Sequence, residues 1–301
     1  MGVRLELSSH AKINLTLEVL ARREDGYHQI ETVLQELELH DTLFLEESSG
    51  GSLELYCNDH TLPRGEENIA YRAALLLQAH YAPAKGARLE LIKRIPVAAG
   101  LGGGSSNAAA VLKGLNLLWN LCLPADTLAE LGSRLGSDVP FFIYGGTAFA
   151  GGRGELVRPL PPLPQAKVLL VAPEGKGLSA ARVYSALKLD KIPARANTGR
   201  VVELLEKRCP SRVDFFAELL PLLRNDLEAP VFTLEKEVLL IKEQLLQKGL
   251  AALVSGSGPT VFALSANENR LQRAGEELAQ QGCMVIFTET VRQKKYIIEN
   301  N

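Results

Sequence analysis

Apolar and polar residues alternate over positions 5–7, 11–20 and 42–47, the period of half-buried strands. Gly26-Tyr27-His28 interrupts the alternation and predicts a turn. From 68 to 80 the period lengthens to that of a helix, with Ile69, Ala73, Leu76 and Leu77 on one face. Residues 88–94 alternate again and lead into a glycine-rich loop. Beyond it Val111, Leu112, Leu115, Leu118 and Trp119 recur at helical spacing, with Asn107 the candidate N-cap. A short helix is predicted over 128–135. Residues 156–165 carry Pro159, Pro161, Pro162 and Pro164, which no helix or central strand accommodates. That stretch is expected to divide the chain into domains 1–160 and 161–301. The second half reads as a strand (167–172), helices, two strands (251–254 and 260–264), a helix (268–281) and a strand (284–290). With the helices between 179 and 248 taken together, this order predicts a split βαβ arrangement in a mixed α/β chain.

The loop itself runs Pro96-Val97-Ala98-Ala99-Gly100-Leu101-Gly102-Gly103-Gly104-Ser105-Ser106 and opens a helix. Glycine allows left-handed backbone and close approach to a ligand. A helix N-terminus directs unpaired N–H groups and positive dipole at that ligand, so the combination points to phosphate. It is not a Walker A loop, because Ser105 follows Gly104 and the next lysine is Lys113. Nor is it a dinucleotide fingerprint: the third glycine would fall on Ser105 or Asn107. A protein-kinase loop would lie between strands rather than before a helix.

Composition narrows the classes. The chain has 301 residues, 46% hydrophobic, room for two domains. A net charge of −2 gives no global field for nucleic acid, so Arg22-Arg23 and Lys294-Lys295 read as solvated surface. Neither an apolar leader nor an apolar run of membrane-spanning length is present, and a cytoplasmic protein is expected. Cys57, Cys122, Cys209 and Cys283 form no C-x-x-C pair, and Cys122 and Cys283, in apolar surroundings, are expected in the core. The five histidines lack metal-ligand spacing. A phosphoryl-transfer enzyme would instead use Mg²⁺, held by oxygen ligands and the nucleotide.

Three further segments could carry chemistry. Lys12, Asn14 and Thr16 share one face of a strand, which is either a solvated sheet face or a surface that orients a substrate hydroxyl and phosphate. Asp138, in Leu135-Gly136-Ser137-Asp138-Val139-Pro140, either caps a helix or accepts the proton of an attacking hydroxyl. Ser255-Gly256-Ser257-Gly258-Pro259 reads first as a plain hairpin, and alternatively as a turn that closes over phosphates.

Taken together and in order, Ala-Lys12-Ile-Asn14-Leu, Arg22-x₂-Asp25-Gly-Tyr27-His28, the Pro96–Ser106 loop, Leu-Gly-Ser-Asp138-Val-Pro-Phe-Phe and Arg224-Asn-Asp-Leu-Glu228 resemble the GHMP superfamily of small-molecule kinases. The resemblance runs from about residue 8 to residue 290 and is closest to the branch acting on a cytidine-diphosphate-linked methylerythritol. It implies an α/β (α+β) fold, a ribosomal-protein-S5-like N-terminal domain and a ferredoxin-like C-terminal domain with the site between them. It also implies ATP and Mg²⁺ as cofactors, phosphorylation of the substrate's 2-hydroxyl in non-mevalonate isoprenoid synthesis, and a monomer or weak homodimer without nucleic-acid or membrane partners. Residue by residue, Asp138 would be the base and Lys12 would orient it. Residues Pro96 to Ser106 would wrap the ATP phosphates, Asn68 would lie near the nucleotide base, and the Ser106 hydroxyl would reach the metal. Asn14 would contact the methylerythritol, and Tyr27, His28 and Tyr184 the cytidine. The chain departs from the family at Leu34, where an aromatic is common, and at Ser179-Ala180, where a threonine is usual. These departures imply a looser base sandwich and one lost substrate contact.

Overall fold

Two long antiparallel strands, β1 (Arg4–Arg22) and β2 (His28–Ser48), open the computed structural model, which describes residues 3–193, 196–207, 211–265 and 267–291. Residues 28–41 show no clean alternation, yet they are strand throughout. The pairing gives the reason: register shifts fall between His10 and Lys12, Asn14 and Thr16, and Val19 and Ala21. The first leaves two extra residues in β2; the second and third each leave one extra residue in β1 and send the following side chains to the other face, so a single strand serves several cores.

The chain continues through β3 (Leu53–Cys57), α1 (Ile69–Tyr81), β4 (Gly86–Ile92), α2 (Gly103–Leu118), α3 (Ala125–Ser133), α4 (Val139–Tyr144), β5 (Thr147–Gly151) and β6 (Leu156–Pro159). The first sheet has the order β3-β4-β2-β1, with β5 also on β2 and β6 on β5. Asn68 caps α1, accepting from Ala70 N at 2.9 Å. The buried stripe of α1 is Ala70, Ala73, Ala74 and Leu77, rotated slightly from the expected one. Asn107 is not the cap of α2. That helix already starts at Gly103, capped by left-handed Gly102, and Asn107 is buried inside it. The proline-rich stretch also differs from expectation: its first part is β6, an edge strand on β5, where Pro159 breaks no central ladder.

The second half contributes β7 (Lys167–Pro173), α5 (Ala180–Ser185), α6 (Asn197–Glu206), α7 (Arg212–Leu219), β8 (Arg224–Asn225), α8 (Glu228–Leu234), α9 (Lys236–Gln247), β9 (Ala251–Val254), β10 (Val261–Leu264), α10 (Glu268–Gln280) and β11 (Cys283–Glu289). Its antiparallel sheet has the order β11-β7-β10-β9, the split βαβ arrangement. Strand β8 belongs instead to the first sheet, pairing in parallel with β1, Thr16 opposite Arg224 and Leu17 opposite Asn225.

Three cores result. Leu43, Leu45, Leu89 and Leu91 pack under α1–α4, and Leu5 and Leu7 join them. Ile13 and Leu15 of β1 meet Val168, Leu170 and Phe262 of the second sheet. Leu17 and Val19 join Leu169, Val171 and the inner faces of α8–α10. Strand β7 is thus buried on both faces, which explains its unbroken apolar run. Cys57 is buried, whereas Cys122 is exposed and Cys283 half-buried, so those two are not the core thiols expected; Cys209 lies outside the described residues. No helix of the described residues is long and apolar enough to cross a membrane.

Candidate active site

A backbone hydrogen bond brings Lys12 to the glycine loop: its N–H donates to Leu101 O at 2.9 Å. Ala99 and Leu101 anchor the loop in the core between the sheets, and Gly100 and Gly102 line the cleft. Both glycines are left-handed, with φ of 76° and 71°. A Cβ on Gly102 would lie 2.8 Å from the Phe142 ring and 3.0 Å from Lys12 Cγ, so the lysine needs that space. The stem of the loop hangs on Asp41, fully buried in β2. Its carboxylate accepts from Arg94 N at 2.7 Å, Ile95 N at 2.8 Å and Asn107 Nδ2 at 2.8 Å, and pairs with Lys93. Four donors on one buried carboxylate compensate its desolvation and fix where the loop begins.

The cleft beside the loop is a cavity of about 980 Å³. At one end Lys12 Nζ stands 3.6 Å from Asp138 Oδ2 and donates to Asn14 Oδ1 at 2.8 Å. Asn14 Nδ2 in turn donates to Thr32 Oγ1 at 2.9 Å. The face of Lys12, Asn14 and Thr16 is therefore not a solvated one; all three are buried. Thr16 serves the interior, its Oγ1 accepting from Val33 N and from Thr198 Oγ1, each at 3.0 Å. Asp138 occupies the cap position of α4 without making a side-chain cap bond, which leaves its carboxylate to the lysine. At 38% exposure against 5% for Lys12, it is the open member of the pair.

At the other end His28 and Tyr184 stack, with ring centroids 5.1 Å apart and planes 27° from parallel. Tyr27 is half exposed, with the Arg153 guanidinium carbon 4.7 Å from its ring centroid. Partial burial, aided by the Arg22 charge, lowers the His28 pKa and keeps the imidazole neutral near pH 7. Burial first, and the nearby Asp138 charge second, raise the Tyr184 phenol well above its usual range. Ala180 lines this cleft, but Leu34 does not. It is fully buried among Leu43 and Leu45, so the departure at 34 does not loosen the cleft.

Other expected residues fall elsewhere. Pro96, Val97 and Ala99 line a separate cavity of about 300 Å³, while Ala98 binds the 178 segment through Leu178 N. Asn68 is committed to its own turn, donating to Pro63 O at 2.8 Å as well as capping α1, whose Ile69 packs near Gly104. Ser106 is turned away from the cleft and buried, accepting from Ser9 Oγ at 2.8 Å; Ser105 lines the cleft instead. The geometry thus corrects Ser106 as a metal ligand. Among the described residues no group of three His, Cys, Asp or Glu side chains could hold a metal ion. The Asp138 carboxylate and Ser105 hydroxyl suit an ion carried in by a nucleotide better than a protein-built cage.

The turn after β9 does more than join two strands. Ser255 Oγ donates to Gly100 O at 3.0 Å, and a Cβ on Gly256 would lie 3.1 Å from Lys12 Nζ. Asn225 holds this turn, its Nδ2 donating to Val254 O at 2.8 Å and Gly256 O at 2.7 Å. The Arg224–Glu228 motif, which alone reads as a helix start, thus ties β1 to the second glycine turn before α8 begins. Thr32, Arg22, Ser137 and Arg153 also line the cleft and were not anticipated. Thr32 lies in the strand segment that lacks alternation.

Residues 68–146 match the family model described as GHMP kinases N terminal domain, and residues 202–282 the one described as GHMP kinases C terminal. The 4-diphosphocytidyl-2-C-methyl-D-erythritol kinase of Shouchella clausii is 44% identical over 272 residues, 90% of this chain and 89% of that protein. The chain belongs to the 4-diphosphocytidyl-2-C-methyl-D-erythritol kinase family. A crystal structure of 4-(cytidine 5'-diphospho)-2C-methyl-D-erythritol kinase superposes with a TM-score of 0.77 at 35% identity, covering 96% of this chain and 100% of that one. Homoserine kinase from Cytophaga hutchinsonii shares only the fold, with a TM-score of 0.74 at 18% identity over 96% of this chain and 94% of that one. The two-domain GHMP kinase fold of the family accounts for both sheets and for the cleft between them.

Proposed function

We propose that the protein transfers the γ-phosphoryl group of ATP to the 2-hydroxyl of 4-diphosphocytidyl-2-C-methyl-D-erythritol, a step of non-mevalonate isoprenoid synthesis. The observation that carries this reading is the cleft's two ends: a lysine–aspartate pair beside a glycine loop, and a neutral histidine stacked on a tyrosine. A simple alcohol needs no aromatic clamp; a cytosine does.

In this reading the attacking hydroxyl gives its proton to Asp138 as its oxygen bonds to the γ-phosphorus and the bond to the β–γ bridging oxygen breaks, releasing ADP. Lys12 orients the carboxylate and lies where the transferring group's negative charge develops. Backbone N–H groups of the loop, from Gly100 through Ser105 and the start of α2, bind the phosphates. Ser105 and Asp138, which line the cleft, would help hold Mg²⁺ alongside the nucleotide, and the ion would supply charge neutralisation. Asn14, fixed by Lys12 and Thr32, orients the methylerythritol. His28 hydrogen-bonds the cytosine edge between Tyr27 and Tyr184. Residues 1–160 supply the loop and catalytic pair, residues 161–301 close the cleft, and the protein works in the cytoplasm as a monomer or weak homodimer.

Purified protein given ATP, Mg²⁺ and this substrate should yield ADP and the 2-phosphate in equal amounts, followed by ³¹P NMR. Preferential turnover of homoserine or mevalonate would overturn the substrate assignment.

A further inference from the structure

We infer that Arg153 recognises the diphosphate of the substrate and so sets the preference for a nucleoside-diphosphate handle over an uncharged nucleoside. The inference rests on the function proposed above. A ligand with its base at His28 and its hydroxyl at Asp138 must lay its diphosphate along the wall between them. The 153–154 segment forms that wall. A Cβ on Gly154 would lie 3.6 Å from Ser137 Cβ and 3.9 Å from Asp138 Oδ1, while the guanidinium of the preceding residue covers Tyr27 at 4.7 Å. Within two residues the backbone passes from the reacting carboxylate to the base pocket. Gly154, with φ of 115°, makes that turn possible.

The guanidinium is oriented but has donors to spare. Its Nε lies 3.6 Å from Glu155 Oε1, and the same carboxylate accepts from Arg153 N at 2.6 Å. One flat face rests on Tyr27. Among the described residues no group accepts a hydrogen bond from the guanidinium, and the side chain is 27% exposed in the cleft. A planar fork of free donors fits two phosphate oxygens at once. The other cations of the cleft are placed differently: Lys12 is taken up by Asn14 and Asp138, Arg22 lies beside His28, and Lys188 is exposed on the rim.

Titration calorimetry with cytidine and with CDP, both with the ATP site filled by a non-hydrolysable ATP analogue, tests this. The native protein should bind CDP more tightly than cytidine. Arg153→Gln should weaken CDP by about 10- to 100-fold, the worth of hydrogen bonds to a charged group, and leave cytidine within about threefold. Arg153→Lys, which keeps the charge and loses the fork, should fall between. In kinetics, Arg153→Gln should raise KM for the nucleotide-linked substrate and leave KM for ATP unchanged. Equal weakening of cytidine and CDP would reduce Arg153 to a support for the Tyr27 ring and overturn the inference. Unchanged CDP affinity in both variants would overturn it too. A native protein that binds neither ligand would instead overturn the proposed function.

Discussion

Replacing Gly100 by alanine puts the packing of the two glycine turns to a direct test. The residue is left-handed at φ 76°, which costs an alanine about 1–2 kcal/mol. The added Cβ would also lie 2.2 Å from Ser255 O and 3.0 Å from both Gly258 N and Gly258 O. Those neighbours are backbone, and they are tied down. Ser255 N donates to Thr260 O, and Gly258 N donates to the same Ser255 O, each at 2.9 Å. On the other side Leu101 O holds Lys12 N. Relief requires the loop and the turn to separate by roughly 1 Å, the scale of misplacement that costs about 100-fold in rate. If they do not separate, overpacking adds about 1–3 kcal/mol to the backbone strain. Gly100→Ala should therefore lower kcat/KM for ATP by about 100-fold and lower Tm by roughly 5–15 °C. Gly199→Ala is the matched control: nothing lies within 4 Å of its Cβ in α6, so stability should rise by up to about 1 kcal/mol. Steady-state kinetics and thermal melts read both. Native kcat/KM and Tm in Gly100→Ala would refute the contact between loop and turn.

Other perturbations separate neighbouring roles. Ser106→Ala should cost about 1 kcal/mol of stability through the lost Ser9 bond and leave the Mg²⁺ dependence of the rate unchanged; a raised Mg²⁺ requirement would restore Ser106 as a ligand. His28 titrates below its usual 6.5 in the folded state, so the unfolded chain takes up the proton first. Its contribution to stability should be flat above pH 6.5 and lost as pH falls below that value through the folded pKa, with KM for the nucleotide substrate rising over the same window. An acid inflection in KM that persists in His28→Gln would assign the titration to another group.

The sequence carries the proposed catalytic residues and their surroundings unevenly. The glycine loop is legible from residue type, whereas Lys12 and Asp138, each open to a plain structural reading alone, become legible only through the order of the motifs and the family they resemble. The contact of the loop with Lys12 is not: it depends on one long-range backbone bond. Helical phase decided the serines. With α2 starting at Gly103 rather than after Asn107, Ser105 and Ser106 lie about 100° apart around the axis, and only the first meets the cleft. Bulges decided Leu34. Asn14 pairs with Leu34 and Thr16 with Val33, so Leu15 is the extra residue and counting by twos fails there. Strand β8, two residues long, is too short to show any period. The buried carboxylate of Asp41 left no motif either, since its partners come from β4's exit and α2.

In the proposed reaction Asp138 takes the proton while the glycine loop and the aromatic end hold the two substrates independently of it. A rapid-quench single-turnover measurement on Asp138→Asn, with ATP and the nucleotide-linked substrate both saturating, tests this most directly. The amide keeps the shape and removes the base, so the phosphoryl-transfer rate should fall by about 100- to 10,000-fold while the affinities for both substrates stay within about threefold of native. A rate within tenfold of native would remove Asp138 from the chemistry, and lost binding of either substrate would show that the carboxylate holds the site together instead.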